Sequence, residues 1–124
     1  MQINVQPIEG LYLVELNSIE DSRGSFSRIF CSNELKNVMS NQNIVQINIS
    51  KNNQKGLIRG IHYQKKPNAE VKLINCIKGK VYDVVVDLRI NSKTFLQWCS
   101  YELSQDDNKI LIIPKGCAHG FQTL

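Results

Sequence analysis

The chain has no apolar run near the length of a membrane span. Its first residues, Met1-Gln2-Ile3-Asn4, show no secretion-signal pattern. No membrane association and a cytoplasmic setting are therefore the expectation. Four cysteines are present, Cys31, Cys76, Cys99 and Cys117, widely and irregularly spaced with no C-x-x-C pair. That argues against a zinc ribbon or a thioredoxin-type site. No dense lysine or arginine block exists. Lys51, Lys55, Lys65 and Lys66 read as solvated loop residues. The net charge of +4 mildly favours anionic small ligands, and no nucleic-acid partner is expected. There is no internal repeat, low-complexity tract or linker. A chain of 124 residues suffices for one core and not for two, so a single domain over 1–124 is expected.

What the chain does contain is a succession of short β-rich runs separated by turn signals. Leu11–Leu16, Phe26–Phe30, Leu57–Gln64, Val71–Ile77, Lys80–Arg89, Phe95–Leu103, Ile110–Ile113 and Ala118–Leu124 read as strands. Ile44–Ser50 alternates polar and apolar residues and predicts a strand with one buried side. Lys78-Gly79 predicts a hairpin between its flanking strands. One short helix is expected over Asn33–Met39, with Ser32 as its N-cap and Asn41-Gln42-Asn43 ending it. The pattern points to an all-β sandwich or barrel with one minor helix. Cys76 and Cys99 fall in strand-like runs as small buried hydrophobes.

Strand parity raises two questions. Asp83 and Asp87 share one face of their strand, opposite Tyr82, Val84, Val86 and Leu88. The plain expectation is that both carboxylates meet solvent or surface cations. On the inner wall of a barrel, each would need a partner. Arg59 and His62 have opposite parity, so they share a pocket only if the strand is irregular. Gly60, between them, is where a bulge would re-aim one of the two.

The only two histidines lie in glycine-containing frames, Arg59-Gly60-Ile61-His62-Tyr63-Gln64 followed by Lys72, and Pro114-Lys115-Gly116-Cys117-Ala118-His119-Gly120-Phe121. The second frame resembles the second cupin motif, and the stretch from His62 to Gly79 resembles the first. Metal-binding cupins usually offer a second histidine where this chain has Gln64. Glu70 stands near the carboxylate position, but Lys72 beside it would compete with a metal cation. No metal is expected. Cys117 sits two residues from His119, but nothing nearby resembles a nucleophilic triad. The other chemistry is metal-free proton transfer. A neutral His62 would remove a proton from carbon beside a carbonyl, and Lys72 would stabilise the enolate oxygen. Arg23, Arg28 and Arg59 have the forked geometry that suits phosphate.

The ordered set Asp21-x-Arg23-Gly24-x-Phe26, Gln46-x-Asn48, Leu57-x-Arg59-Gly60-x-His62-Tyr63-Gln64, Lys72, Gly79-x-Val81-x-Asp83-Val84-x-Val86-Asp87-x-Arg89, Ser92-x-Thr94-Phe95, Trp98 and Ile113-Pro114-x-Gly116-x-Ala118-His119-Gly120-Phe121 resembles the dTDP-4-dehydrorhamnose 3,5-epimerase family. The resemblance covers nearly the whole chain. It implies an all-β, cupin-type double-stranded β-helix (jelly-roll) barrel and an isomerase that needs no cofactor. The substrate it implies is a dTDP-4-keto-6-deoxyhexose, epimerised at C3, C5 or both, in a homodimer. It also implies roles: His62 as general base, Lys72 near the C4 oxygen, Arg59 and His119 along the hexose and phosphate, and Arg23, Gln46 and Asn48 as nucleotide-sugar contacts, some across the dimer.

Two departures from the family pattern stand out. Arg28 occupies a position where many members carry glutamate. Family members also continue for several tens of residues past the position of Leu124, and that continuation carries the tyrosine regarded as proton donor and the aspartate paired with the base. Neither motif has a counterpart here, Asp83 being at best a substitute for that aspartate. The chain thus reads as C-terminally short, an epimerase in sequence family. The alternative expectation is a catalytically impaired sugar-nucleotide-binding remnant.

Overall fold

The computed structural model describes residues 1–39 and 42–124. Among these residues the chain forms β1 (Gln2–Val5), β2 (Tyr12–Glu15), β3 (Ser18–Asp21), β4 (Gly24–Ser27), α1 (Ser32–Leu35), β5 (Ile58–His62), β6 (Lys72–Asn75), β7 (Lys80–Asp87), β8 (Trp98–Ser104), β9 (Lys109–Ile113) and β10 (Cys117–Thr123). Two antiparallel sheets, β1-β2-β9-β6 and β5-β10-β7-β8, carry the fold, and β3-β4 is a separate hairpin. This is the all-β, cupin-type jelly-roll architecture with one short helix that the sequence predicts.

The run Lys109-Ile110-Leu111-Ile112-Ile113 shows how sequence makes these layers. β-Branched residues suit a pleated strand, and successive side chains leave opposite faces. Leu111 and Ile113 enter a cluster with Ile8, Leu11, Val85, Leu103 and Cys117, which fills the space between the two sheets. Ile110 and Ile112 enter a second cluster with Val14, Leu16, Leu35 and Met39 on the sheet's other face, beneath the helical turn. Burying each such side chain contributes about 1.5–3 kcal/mol. A centre strand covered on both sides is apolar at consecutive positions, as β9 is.

The structure differs from the sequence reading at several elements. Residues 44–50 form no strand. Val45, Ile47 and Ile49 are 94%, 83% and 67% exposed. Alternation encodes a strand only where a neighbour accepts its backbone hydrogen bonds, and no described segment pairs with this one. Lys78-Gly79 does not close a hairpin, because β6 pairs with β9 whereas β7 pairs with β8 and β10. The turn carries the chain from one sheet to the other. The helix ends at Leu35, and Cys31, not Ser32, is its N-cap, with no side-chain cap bond. Asn41 of the expected stop signal lies outside the described residues. β1 and β3 are strands that the pattern did not reveal. No helix is long and apolar enough to cross a membrane.

Candidate functional site

The pairing of β5 with β10 places the two histidines together. His119 stands opposite His62, and Phe121 opposite Arg59, so two steps along β10 span three along β5. The extra residue is a bulge in β5, at the glycine where the sequence called for one. Gly60 has φ +106°, in the region that favours glycine. A methyl group there would lie 2.7 Å from the Gly120 Cα and 2.8 Å from the His119 carbonyl oxygen. Gly120 is equally confined, its Cβ position being 2.7 Å from the Arg59 carbonyl oxygen. Two facing glycines let the backbones close up at this point.

Directly opposed residues of an antiparallel pair share a face. His62 and Arg59 therefore share the face of His119 and Phe121, and that face continues onto β7 through Val85 and Asp83. The His62 and His119 rings meet edge-on, with centroids 5.1 Å apart and planes at 62°. His119 is 4% exposed and Asp83 is fully buried. His119 Nδ1 lies 3.2 and 3.3 Å from the two Asp83 carboxylate oxygens. An ionised carboxylate only accepts, so the ring nitrogen donates.

Lys72 arrives from the other sheet, on β6, opposite Ile113. Its ammonium donates to Glu70 at 2.6 Å. Desolvation, the neighbouring His119 and the Lys72 ammonium hold the His62 pKa below the ordinary imidazole value of 6.5, against the opposing pull of Asp83 and Glu70. The neutral imidazole of His62 is thereby favoured.

The expectation that Asp83 and Asp87 face solvent or surface cations is overturned, for both are fully buried. Asp87 lies on the same face four residues past Asp83 and is saturated by donors. It accepts from the Arg89 backbone N–H (2.9 Å), Arg89 Nε and Nη2 (2.8 and 2.7 Å), Ser92 Oγ (2.6 Å) and Thr94 Oγ1 (2.7 Å). Burial pushes its carboxyl up, but these bonds outweigh burial and hold it well below the usual carboxylate range. Nor does Asp83 orient His62, because its ring partner is His119. Burial drives the Cys117 thiol up to about 12, which leaves no nucleophile there.

Other candidates lie apart from this cluster. Arg23 is bound to Asp21 on the β3–β4 turn at 2.6 Å, and Arg28 to Glu34 at 2.9 Å. Gln46 and Asn48 are exposed in the segment without strand partners. Arg59 Nε donates to the Asn52 side chain at 2.7 Å. Among the described residues, no group of three or more His, Cys, Asp or Glu side chains converges as a metal site. Two residues of the cluster carried no assigned partner in the sequence, Asp83 and Glu70. Glu70 had a visible signal, since it stands two residues before Lys72.

The chain matches the dTDP-4-dehydrorhamnose 3,5-epimerase family over residues 5–124. It belongs to that family. The epimerase of Sinorhizobium fredii is 40% identical over 112 residues, covering 90% of this chain and 57% of the relative. The chain therefore spans little more than half of that relative's length. A Bacillus anthracis epimerase, solved with TDP and PPi bound, superposes with TM-score 0.94 at 41% identity, covering 99% of this chain and 70% of that one. A Legionella pneumophila epimerase in complex with dTDP-4-keto-L-rhamnose gives TM-score 0.82 at 35% identity, covering 99% and 65%. The two solved epimerases share the fold of this chain.

Proposed function

We propose that this chain bears the proton-abstracting machinery of an epimerase acting on a dTDP-4-keto-6-deoxyhexose, in the making of deoxysugar precursors. The observation that carries the reading is the convergence of a neutral His62, an edge-on His119 and the Lys72 ammonium in a chain of this family. The C4 ketone acidifies hydrogens at C3 and C5. His62 takes such a proton, and the C–H electron pair moves to the C4 oxygen as an enolate. Lys72 faces that oxygen and stabilises its charge. Return of a proton to the opposite face of the carbon inverts the centre. The abstraction is acid–base chemistry on this chain's side chains and the sugar, whereas inversion further needs a proton donor at the opposite face, a role that none of these residues fills.

The diphosphate and nucleotide fall to His119 and to Arg59 two positions along the same strand pair, with Arg23, Arg28, Gln46 and Asn48 as further contacts. The exposed Arg23 and Arg28 pairs are weak in high dielectric and exchange readily for phosphate oxygens. Support for this ligand class comes from the bound TDP and keto-sugar of the two relatives. A homodimer belongs to the same reading, because residues 44–50 expose Val45, Ile47 and Ile49 together and a second copy would cover them. A cytoplasmic setting fits the four free thiols.

The test is solvent exchange. In heavy water, the wild-type chain should incorporate deuterium at C3 or C5 of the keto-sugar nucleotide, and His62→Asn should abolish incorporation. Tight binding without exchange by wild type would leave a binding protein and end the catalytic reading. Light scattering of the same sample should give twice the chain mass, and a monomer would remove the dimer.

A further inference from the structure

The sharpest anomaly in the molecule is Asp83. It sits mid-strand on β7, fully buried, at a position where the alternation calls for an apolar side chain. Removing a carboxylate from water costs several kcal/mol unless partners compensate. Asp87, on the same face, has such compensation: Arg89, Ser92 and Thr94 surround it, and together they build the turn that follows β7. Its role is therefore architectural. Asp83 has no comparable set. Among the described residues its hydrogen-bond partner is the His119 ring. A core seeking stability alone would place valine there. What Asp83 achieves must be read in what it does to His119.

The effect follows from the chemistry of imidazole. A carboxylate at Nδ1 obliges that nitrogen to carry hydrogen, which leaves Nε2 as the nitrogen that gains or loses a proton. A flip of the ring would point carbon at the buried carboxylate and strand it. The ring is thus fixed in tautomer and in orientation. His62 packs edge-on against this fixed ring, opposite it in the β5–β10 register. His62 is itself exposed, with its ring edge-on to His119 and two residues past the Gly60 bulge.

We propose that Asp83 is a positioning residue: it locks His119 with Nδ1 protonated, presents Nε2 alone to the substrate, and through the locked ring buttresses the His62 base. The inference rests on the reading of His62 and His119 as the working pair. It adds a second, inner carboxylate–imidazole unit behind that pair, supplied by β7 and β10. The groups that bear on His62 charge are His119 on β10, Asp83 on β7, Lys72 on β6 and Glu70 just before it.

The test combines nitrogen-15 NMR of the imidazoles with the exchange assay. In the wild-type chain, His119 Nδ1 should keep a protonated-type shift between about pH 5 and 9, while only Nε2 changes. A lone-pair shift at Nδ1 would overturn the proposal. Asp83→Asn keeps the shape and removes the charge. It should leave the melting temperature unchanged or raised, give a mixed His119 tautomer, and slow deuterium incorporation on the order of 10- to 100-fold with little change in KM. Unchanged tautomer and exchange in a folded variant would overturn it, as would loss of stability with exchange per folded molecule intact, the mark of a purely structural group. If Asp83→Asn does not fold, the wild-type Nδ1 shift still decides. If wild type shows no exchange, the epimerase reading fails while the tautomer measurement still tests Asp83.

Discussion

Gly60→Ala probes the bulge that brings the histidines together. Two costs are expected, and the structure separates them. The first is conformational: φ +106° is sparsely populated by residues with a side chain, at about 1–3 kcal/mol. The second is steric. The new methyl would lie 2.7 Å from the Gly120 Cα, 2.8 Å from the His119 carbonyl oxygen and 3.0 Å from His62 Nδ1. The two closest atoms are backbone and yield only by parting β5 from β10, at about 1–3 kcal/mol for overpacking. Together about 2–6 kcal/mol is lost, a large share of the roughly 5–15 kcal/mol of a typical domain. Gly79→Ala is the control. Gly79 also has a positive φ, +75°, but nothing lies within 4 Å of its Cβ position. It should lose only the conformational part, about 1–2 kcal/mol. Urea unfolding of both variants reads the difference. Gly60→Ala should also lose deuterium exchange at denaturant-free conditions where it stays folded, because the methyl strikes the His119 backbone and the His62 ring. If Gly60→Ala is no more destabilising than Gly79→Ala, the close approach of β5 and β10 is not what the glycine serves.

Two further outcomes are expected. If His62 is the base as proposed, the exchange rate of wild type should rise with pH through a midpoint below 6.5 as its imidazole loses its proton. Lys72→Gln removes a charge that lowers the His62 pKa and should move the midpoint up, whereas Glu70→Gln removes one that raises it and should move the midpoint down; shifts of the same sign would refute this electrostatic account, and NMR titration of His62 reads them even if turnover is lost. Asp87→Asn should cost about 3–5 kcal/mol in urea unfolding by breaking a buried charged network, and in wild type the Asp87 contribution, present above its unfolded pKa, should fade as acid takes the pH below about 4 and toward the lowered folded value.

Most strands were legible because their residues obey the period of the pleat, with β9 as the plainest case. The bulge was legible too, since Arg59 and His62 could not otherwise share a pocket and a glycine stood between them. Ile44–Ser50 carried the same alternation as a true strand, yet alternation records which face is apolar and not which chain covers it. Lys78-Gly79 has turn chemistry, but turn chemistry does not say whether the next strand pairs with the last or joins another sheet. The buried carboxylates were misjudged for a related reason. Aspartate on a strand is ordinarily a surface residue, and Asp87 becomes a core residue only when Arg89, Ser92 and Thr94 fold back onto it. For Asp83 the needed partner, His119, lies thirty-six residues away in sequence and becomes its neighbour only through the β7–β10 register.

His62 and Lys72, the proposed base and enolate-stabilising cation, stand on different sheets, on β5 and β6. Their separation is consequently set by what lies between the sheets. Val85 and Leu103 from one side and Leu111 and Ile113 from the other act as a spacer of fixed thickness. The oil of the core is in this sense a ruler: a methylene added or removed at Leu103 or Leu111 would change how far the Lys72 ammonium stands from the His62 ring without touching a single polar group.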